Sequence, residues 1–168
     1  VVYRIDNETL PSTHTTPDAI RLNAMLAEMA ERGCDYCFME VSSHSIVQER
    51  IAGLTFAGGI FTNITHEHLD YHGTFAEYIR AKKRFFDRLL KGAFALVNAD
   101  DRNGAVMVQN SAATTYTYAL RSFSDFRCRI LENTPEGMLL ELDGQQVWTR
   151  FLGRFNAYNL AAGVGGAG

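Results

Sequence analysis

Apolar positions along the first hundred residues fall into two alternating rhythms. Leu22, Met25, Leu26, Met29 and Ala30 recur at the three-and-four spacing of one helix face, and Gly33 closes the run. Ahead of it, Thr16-Pro17-Asp18 supplies an N-cap hydroxyl and a proline suited to the first helical position. Tyr36-Cys37-Phe38-Met39-Glu40-Val41 is different: a short apolar block stopped by Ser42-Ser43-His44, which predicts a buried strand. Thr55 to Phe61 predicts a second strand ending at Thr62-Asn63, and Phe94 to Asn98 a third. A short helix is expected between the first two, within Ile46 to Leu54. Thr74 with Glu77 three residues on is a capping box, opening a helix expected to reach Leu90 or Lys91 with Gly92 as its stop. Residues 1 to 16 read as a polar loop with a short strand at Val2-Tyr3-Arg4-Ile5. Helices alternating with short apolar strands predict an α/β fold, a mostly parallel sheet flanked by helices.

The rhythm changes after about residue 110. Thr114 to Tyr118, Cys128 to Glu132, Met138 to Leu142 and Val147 to Leu152 are short strand candidates, and Asp143-Gly144 between two of them is a hairpin signal. This third of the chain predicts a small antiparallel β patch joined to the α/β layer in one domain.

Composition narrows the function classes. The chain has 168 residues, 46% of them hydrophobic, enough for a folded core. Sixteen Lys and Arg against nineteen Asp and Glu give a net charge of -3, so no basic surplus suits a nucleic-acid backbone. No apolar run approaches the length of about eighteen residues that spans a bilayer, and the first residues lack a leader pattern. Neither nucleic acid nor membrane is an expected partner. Three cysteines do not make a disulfide framework, so a reducing compartment, the cytoplasm, is expected. The chain begins at Val1 rather than methionine, and it is expected to be a piece of something longer. It contains no G-x-x-x-x-G-K-[ST] loop to cradle phosphates.

Ligands of open parallel sheets bind outside the carboxyl ends of the strands, and two such ends are rich in polar groups. The first offers Glu40, Ser42, Ser43 and His44, followed by Gln48 and Arg50; the second offers Thr62, Asn63, Thr65, His66, Glu67, His68, Asp70 and His72. Glu40 suits a hard cation such as Mg²⁺, or is a solvated loop carboxylate. Lys82 falls on the apolar stripe of the helix opened by Thr74, three after Ile79 and four before Phe86, so it is expected to point inward. It either snorkels to the edge or, desolvated and uncharged, becomes a nucleophile. Lys83, Arg80 and Asp87 fall on the other face and are expected to be solvated. Cys34 and Cys37 enter a strand rather than open a helix, and are expected to be core thiols. His66, His68, Asp70 and His72 approximate the zinc ligand pattern of a metal-dependent hydrolase, with one residue too many before the last histidine.

His14-Thr15-Thr16-Pro17-Asp18-Ala19, Met39-Glu40-Val41-Ser42-Ser43-His44, Phe61-Thr62-Asn63-Ile64-Thr65, His68-Leu69-Asp70-Tyr71-His72-Gly73, Ala81-Lys82, Asn98-Ala99-Asp100-Asp101 and Gly153-Arg154-Phe155-Asn156-Ala157-Tyr158-Asn159 occur in the order seen in the Mur ligases. The chain resembles most the branch that adds a diamino acid to UDP-MurNAc-L-Ala-D-Glu. The resemblance implies that residues 1–168 are part of a central ATP-binding domain, a P-loop-type fold without its own phosphate loop. That loop is expected just upstream of Val1, and the N-terminal UDP-binding and C-terminal amino-acid-binding domains are expected elsewhere in the same polypeptide. It implies an amide-forming reaction in peptidoglycan precursor synthesis, through an acyl phosphate, with ATP and Mg²⁺ as cofactors. The added residue is meso-diaminopimelate or L-lysine.

Carried over by position, Glu40 and His68 are Mg²⁺ ligands, and Lys82 is a carbamoylated lysine contributing a third. These three are the implied catalytic residues. Thr15, Thr16, Ser42, Gln48 and Arg50 hold the UDP-sugar peptide, and Asn156 and Asn159 face the adenine. Two positions depart from the pattern: His14 stands where asparagine is common, and His66-Glu67 stand where a basic residue and aspartate usually precede the histidine. A zinc hydrolase and a truncated, nonenzymatic module are the alternatives.

Overall fold

The computed structural model describes residues 1–65 and 69–166. The chain forms two compact units, residues 1–54 and 55–168.

In the first unit, β1 (Val2–Ile5) pairs antiparallel with β2 (Glu8–Pro11), a strand the polar pattern concealed. Helix α1 (Ala19–Glu31) starts later than expected. Its N-cap is Asp18, whose carboxylate accepts from the Ile20 and Arg21 N–H groups at 3.1 and 3.0 Å. The Thr16 hydroxyl does not cap the helix; it donates to the Glu40 carbonyl at 2.7 Å instead. The helix stops as expected: Gly33, at φ +78°, donates to the Ala30 carbonyl and Cys34 to that of Met29, a left-handed turn that glycine adopts without strain. Helix α2 (Ser43–Val47) lies N-terminal to most of its expected range.

The strand expected over residues 36–41 does not form. The segment lies in no helix or strand: a strand exists only through ladder partners, and the one pair among the described residues of this unit is β1 with β2. Tyr36 and Phe38 are each 81% exposed in consequence. Cys37 is exposed and Cys34 half-buried, so the expected pair of core thiols is not found.

The second unit is built on one six-stranded sheet in chain order. Its strands are β3 (Gly58–Phe61), β4 (Phe94–Asn98), β5 (Thr114–Ala119), β6 (Phe126–Thr134), β7 (Gly137–Leu142) and β8 (Gln145–Thr149). The first four run parallel, and β6 to β8 run antiparallel. The expected antiparallel patch is therefore the continuation of the parallel sheet. Asp143 and Gly144, at φ +47° and +81°, make the predicted two-residue turn between β7 and β8.

Helices α3 (Leu69–His72), α4 (Phe75–Asp87), α5 (Gly104–Val108) and α6 (Arg154–Gly165) complete the unit. Thr74 caps α4 as its spacing predicts, accepting from the Glu77 N–H at 3.2 Å. The helix ends at Asp87 and leaves Leu90 60% exposed, short of the expected stop. Leu96, Tyr118, Cys128, Met138 and Leu140 form a core with Ala157 and Ala161 of α6. Small residues let α6 lie close to the sheet: a Cβ on Gly165 would sit 3.1 Å from Leu96 Cδ2 and 3.2 Å from the Phe126 ring.

Candidate functional site

In the first unit, four of the residues singled out from sequence join one hydrogen-bonded chain. Arg50 donates from Nε and Nη2 to Gln48 Oε1 at 2.9 and 2.6 Å, and from Nη1 to the Thr16 carbonyl at 2.9 Å. Thr16 in turn holds the Glu40 carbonyl. The local fold aims this chain. Ser42 caps α2, accepting from the Ser45 N–H at 3.2 Å. The helix closes when Glu49 donates to the Ile46 carbonyl and Arg50 N–H to that of Ser45, a Schellman turn. Glu49 takes φ +53° there, a conformation ordinary side chains adopt at a cost. That turn sets Gln48 and Arg50 on either side of the strained residue. Thr15 is half-buried and, with Glu40, lines a cavity of about 320 Å³ whose apolar wall includes Leu22, Met25 and Phe38.

Glu40 is exposed in an irregular segment rather than at the end of a buried strand. Its carbonyl is committed to Thr16, leaving the carboxylate as an oxygen donor suited to a hard cation. His68 and His66 lie outside the described residues.

In the second unit, Lys82 lies within the arc of α4 that buries Tyr78, Ala81, Phe85 and Phe86. It is half-buried, with Nζ 5.5 Å from the centroid of the Tyr78 ring, a geometry that favours a cation over the ring face. Lys83 corrects an expectation. Although it is off the apolar stripe, its side chain is only 13% exposed and pairs with Asp87. With the Asn110 amide turned so that its oxygen faces the amine, Asn110 accepts from the same Nζ at 3.2 Å. Packing of α5 beside α4 covers this second face, which a helical repeat alone cannot reveal. Arg80 remains exposed and pairs with Glu77.

The carboxyl ends of β3, β4 and β5 share one edge of the sheet, and residues 98–101 bind that edge together. Asn98 donates from Nδ2 to the Thr62 carbonyl at 2.9 Å. Asp101 accepts from the Ile64 N–H at 3.2 Å and from the Asn103 N–H at 2.8 Å. Asp100 takes four donors: it accepts from the N–H groups of Leu120, Arg121 and Ser122 at 2.9, 2.9 and 2.8 Å, and from the Tyr158 hydroxyl at 2.8 Å. Burial pushes its carboxyl up, but the bonds from Ser122, Tyr158, Leu120 and Arg121 outweigh burial and hold it well below the usual carboxylate range. Burial and the bond to Asp100 push the Tyr158 phenol up. On α6, Asn156 donates from Nδ2 to the Leu152 carbonyl at 2.8 Å, and Asn159 is exposed.

The family described as Mur ligase middle domain matches residues 1–167. The chain belongs to the Mur ligase family. It is 58% identical over 158 residues to the UDP-N-acetylmuramoyl-L-alanyl-D-glutamate--2,6-diaminopimelate ligase of Cytophaga hutchinsonii, covering 94% of this chain and 32% of that protein. The ligase of the same name from Phocaeicola vulgatus is 59% identical over 163 residues, covering 97% of this chain and 34% of the other. A solved structure of a ligase so named superposes with a TM-score of 0.81 at 30% identity, over 95% of this chain and 35% of that one. The chain thus spans about a third of the length of the curated relatives it matches.

In this Mur ligase domain, the residues that sequence reasoning passed over are Asp100, Asp101 and Tyr158, quoted as motif but given no role. The available signal was the polar run directly after a buried strand. Nothing supports the zinc hydrolase alternative: these relatives are named as ligases. His72 instead stacks on Tyr78, ring centroids 5.2 Å apart.

Proposed function

We propose that the chain serves as the central domain of an ATP-dependent ligase that joins 2,6-diaminopimelate to UDP-MurNAc-L-Ala-D-Glu in the cytoplasm, the other domains lying in the same polypeptide. One observation carries this reading: the 59% identity over 163 residues to a ligase whose name specifies both the acceptor and the amino acid. That name supports diaminopimelate over lysine.

In the proposed reaction the γ-carboxylate of the D-glutamyl residue attacks the terminal phosphorus of ATP, releasing ADP and forming an acyl phosphate. The amine of diaminopimelate then attacks the acyl carbon, phosphate leaves with the electron pair, and the nitrogen loses a proton. Thr16, Gln48 and Arg50 form the bonded chain that holds the anionic nucleotide-sugar peptide, with Thr15 and Ser42 beside it. Asn156 and Asn159 present amides toward the adenine from α6. Glu40 and His68 are the proposed Mg²⁺ ligands, and Lys82, carbamoylated by CO₂, exchanges a cation on an apolar helix face for an oxygen donor, the third ligand. Mg²⁺ would supply offset of the repulsion between substrate carboxylate and nucleotide phosphates.

The test grafts residues 1–168 in place of the matching segment of the Cytophaga hutchinsonii ligase. The expected result is formation of the tripeptide nucleotide that requires both ATP and diaminopimelate, with one ADP per product. A folded graft that binds nucleotide yet forms no product overturns the reading. The 168-residue chain by itself is expected to release no phosphate from ATP, because no phosphate-cradling loop occurs within it.

A further inference from the structure

We infer that Asp100 is a positioning residue for the nucleotide: through its bonds to Tyr158 and to the backbone of Leu120, Arg121 and Ser122, it fixes α6 against the loop after β5, so that the two form one preorganised wall. The inference rests on the ligase reading for the identity of the nucleotide. Its geometry is independent of that reading.

Asp100 follows β4 by two residues, and Leu120 to Ser122 follow β5, so both lie at the edge where open parallel sheets bind ligands. Only 3% of the Asp100 side chain is exposed. It therefore meets few solvent molecules, and its four donors come from segments twenty to fifty-eight residues away. Three consecutive N–H groups turned onto one carboxylate define the path of the β5–β6 loop. The loop is held a second time where Asp125 accepts from both the N–H and the hydroxyl of Thr117 at 2.8 Å. Between these two anchors the loop presents Phe123, 95% exposed. Tyr158 stands on α6 between Asn156 and Asn159, so the Asp100 bond sets the rotation of the helix turn that carries both amides. A ligand meeting a wall already ordered loses less free energy in ordering it. Asp100 thus acts on affinity through other groups without touching the reacting atoms.

The experiment uses the full-length grafted ligase and its Tyr158→Phe and Asp100→Asn variants. Tyr158→Phe removes the phenol hydroxyl, and with it the bond to Asp100, while keeping the ring, so it reports even where Asp100→Asn fails to fold. Ser111→Ala is the structural control: it removes the bond from Ser111 to the Phe86 carbonyl near the opposite, amino end of β5. The readings are the Kd of a fluorescent ADP analogue with Mg²⁺, the melting temperature and, in the active parent, separate KM values for ATP and the nucleotide-sugar peptide. Loss of one ordering hydrogen bond is expected to weaken nucleotide binding about 3- to 10-fold in Tyr158→Phe and to raise the ATP KM alike. The KM for the nucleotide-sugar peptide is expected to stay at the parental value. Ser111→Ala should lower the melting temperature while leaving the nucleotide Kd unchanged. A parental Kd in a folded Tyr158→Phe variant overturns the inference, as does a parent that binds no nucleotide. A parent that binds nucleotide but forms no tripeptide counts against the ligase reading, while the Kd ratio still decides the role of Asp100.

Discussion

Thr16 fixes the backbone at Glu40 from twenty-four residues away: its buried hydroxyl donates to the Glu40 carbonyl at 2.7 Å, while its own carbonyl accepts from Arg50. The same threonine therefore joins the segment carrying the proposed metal ligand to the turn carrying the proposed substrate ligands. Thr16→Val keeps the shape and leaves a carbonyl unpaired, which is expected to cost about 1–3 kcal/mol. In the grafted ligase the variant should melt earlier and require more Mg²⁺ for half-maximal rate. An unchanged Mg²⁺ requirement would separate Thr16 from the placement of Glu40.

The two adjacent lysines of α4 should fail in different ways. If Lys82 acts as a carbamate, Lys82→Ala is expected to be nearly inactive, with part of the rate restored by acetate and none of the fold lost. Lys83 is 13% exposed and paired with Asp87, so Lys83→Ala is expected to cost about 1–2 kcal/mol of stability while keeping most of the rate, with no response to acetate. Rates and melting curves of the pair, with and without acetate, check both. Acetate rescue of Lys83→Ala rather than Lys82→Ala would reverse the assignment.

What the sequence disclosed follows from which interactions are local. The β7–β8 hairpin, the Thr74 cap and the Gly33 stop are decided by neighbours a few residues away, and each is found where the pattern placed it. Apolarity also marked Tyr36 to Val41, but it does not supply a ladder partner, and without one the segment forms no strand. Helix α6 escaped because it packs through Ala157, Ala161 and Gly165. Small residues make close contact without an apolar stripe. At the site, Thr16, Gln48 and Arg50 were legible as residues but their linkage was not, since it runs through a backbone carbonyl. Asp100 was hidden more completely: its donors are all distant in sequence.

Gly104 tests how tightly the edge of the sheet is built. A Cβ placed there would lie 2.4 Å from the Asn98 carbonyl oxygen, a backbone atom that cannot swing aside. Asn98 also bonds the Thr62 carbonyl, so a shift would pass to the loop after β3. Gly104→Ala is expected to destabilise by about 1–3 kcal/mol through overpacking, despite alanine's better helix propensity. Chemical denaturation of the variant checks it; a gain in stability would show that α5 can move off β4 freely.

Acid should reveal the charge of Asp100 directly. The three amides of Leu120, Arg121 and Ser122 donate to its carboxylate, so their slow hydrogen exchange depends on that group staying ionised. Its folded pKa is depressed below the value of about 3.9 expected when unfolded. A group depressed on folding contributes its full stabilisation above the unfolded value and loses it only as the pH falls through the lower, folded one. Protection of residues 120–122, corrected for intrinsic exchange, is therefore expected to persist through about pH 4 and to fade only well below it. Asp100→Asn should lose that protection already at neutral pH and show no acid step of its own there. Exchange followed by mass spectrometry on the peptide spanning these amides makes the measurement. Protection half lost in the parent near pH 4, as for an ordinary carboxylate, would mean that the four donors do not hold Asp100 in its charged form.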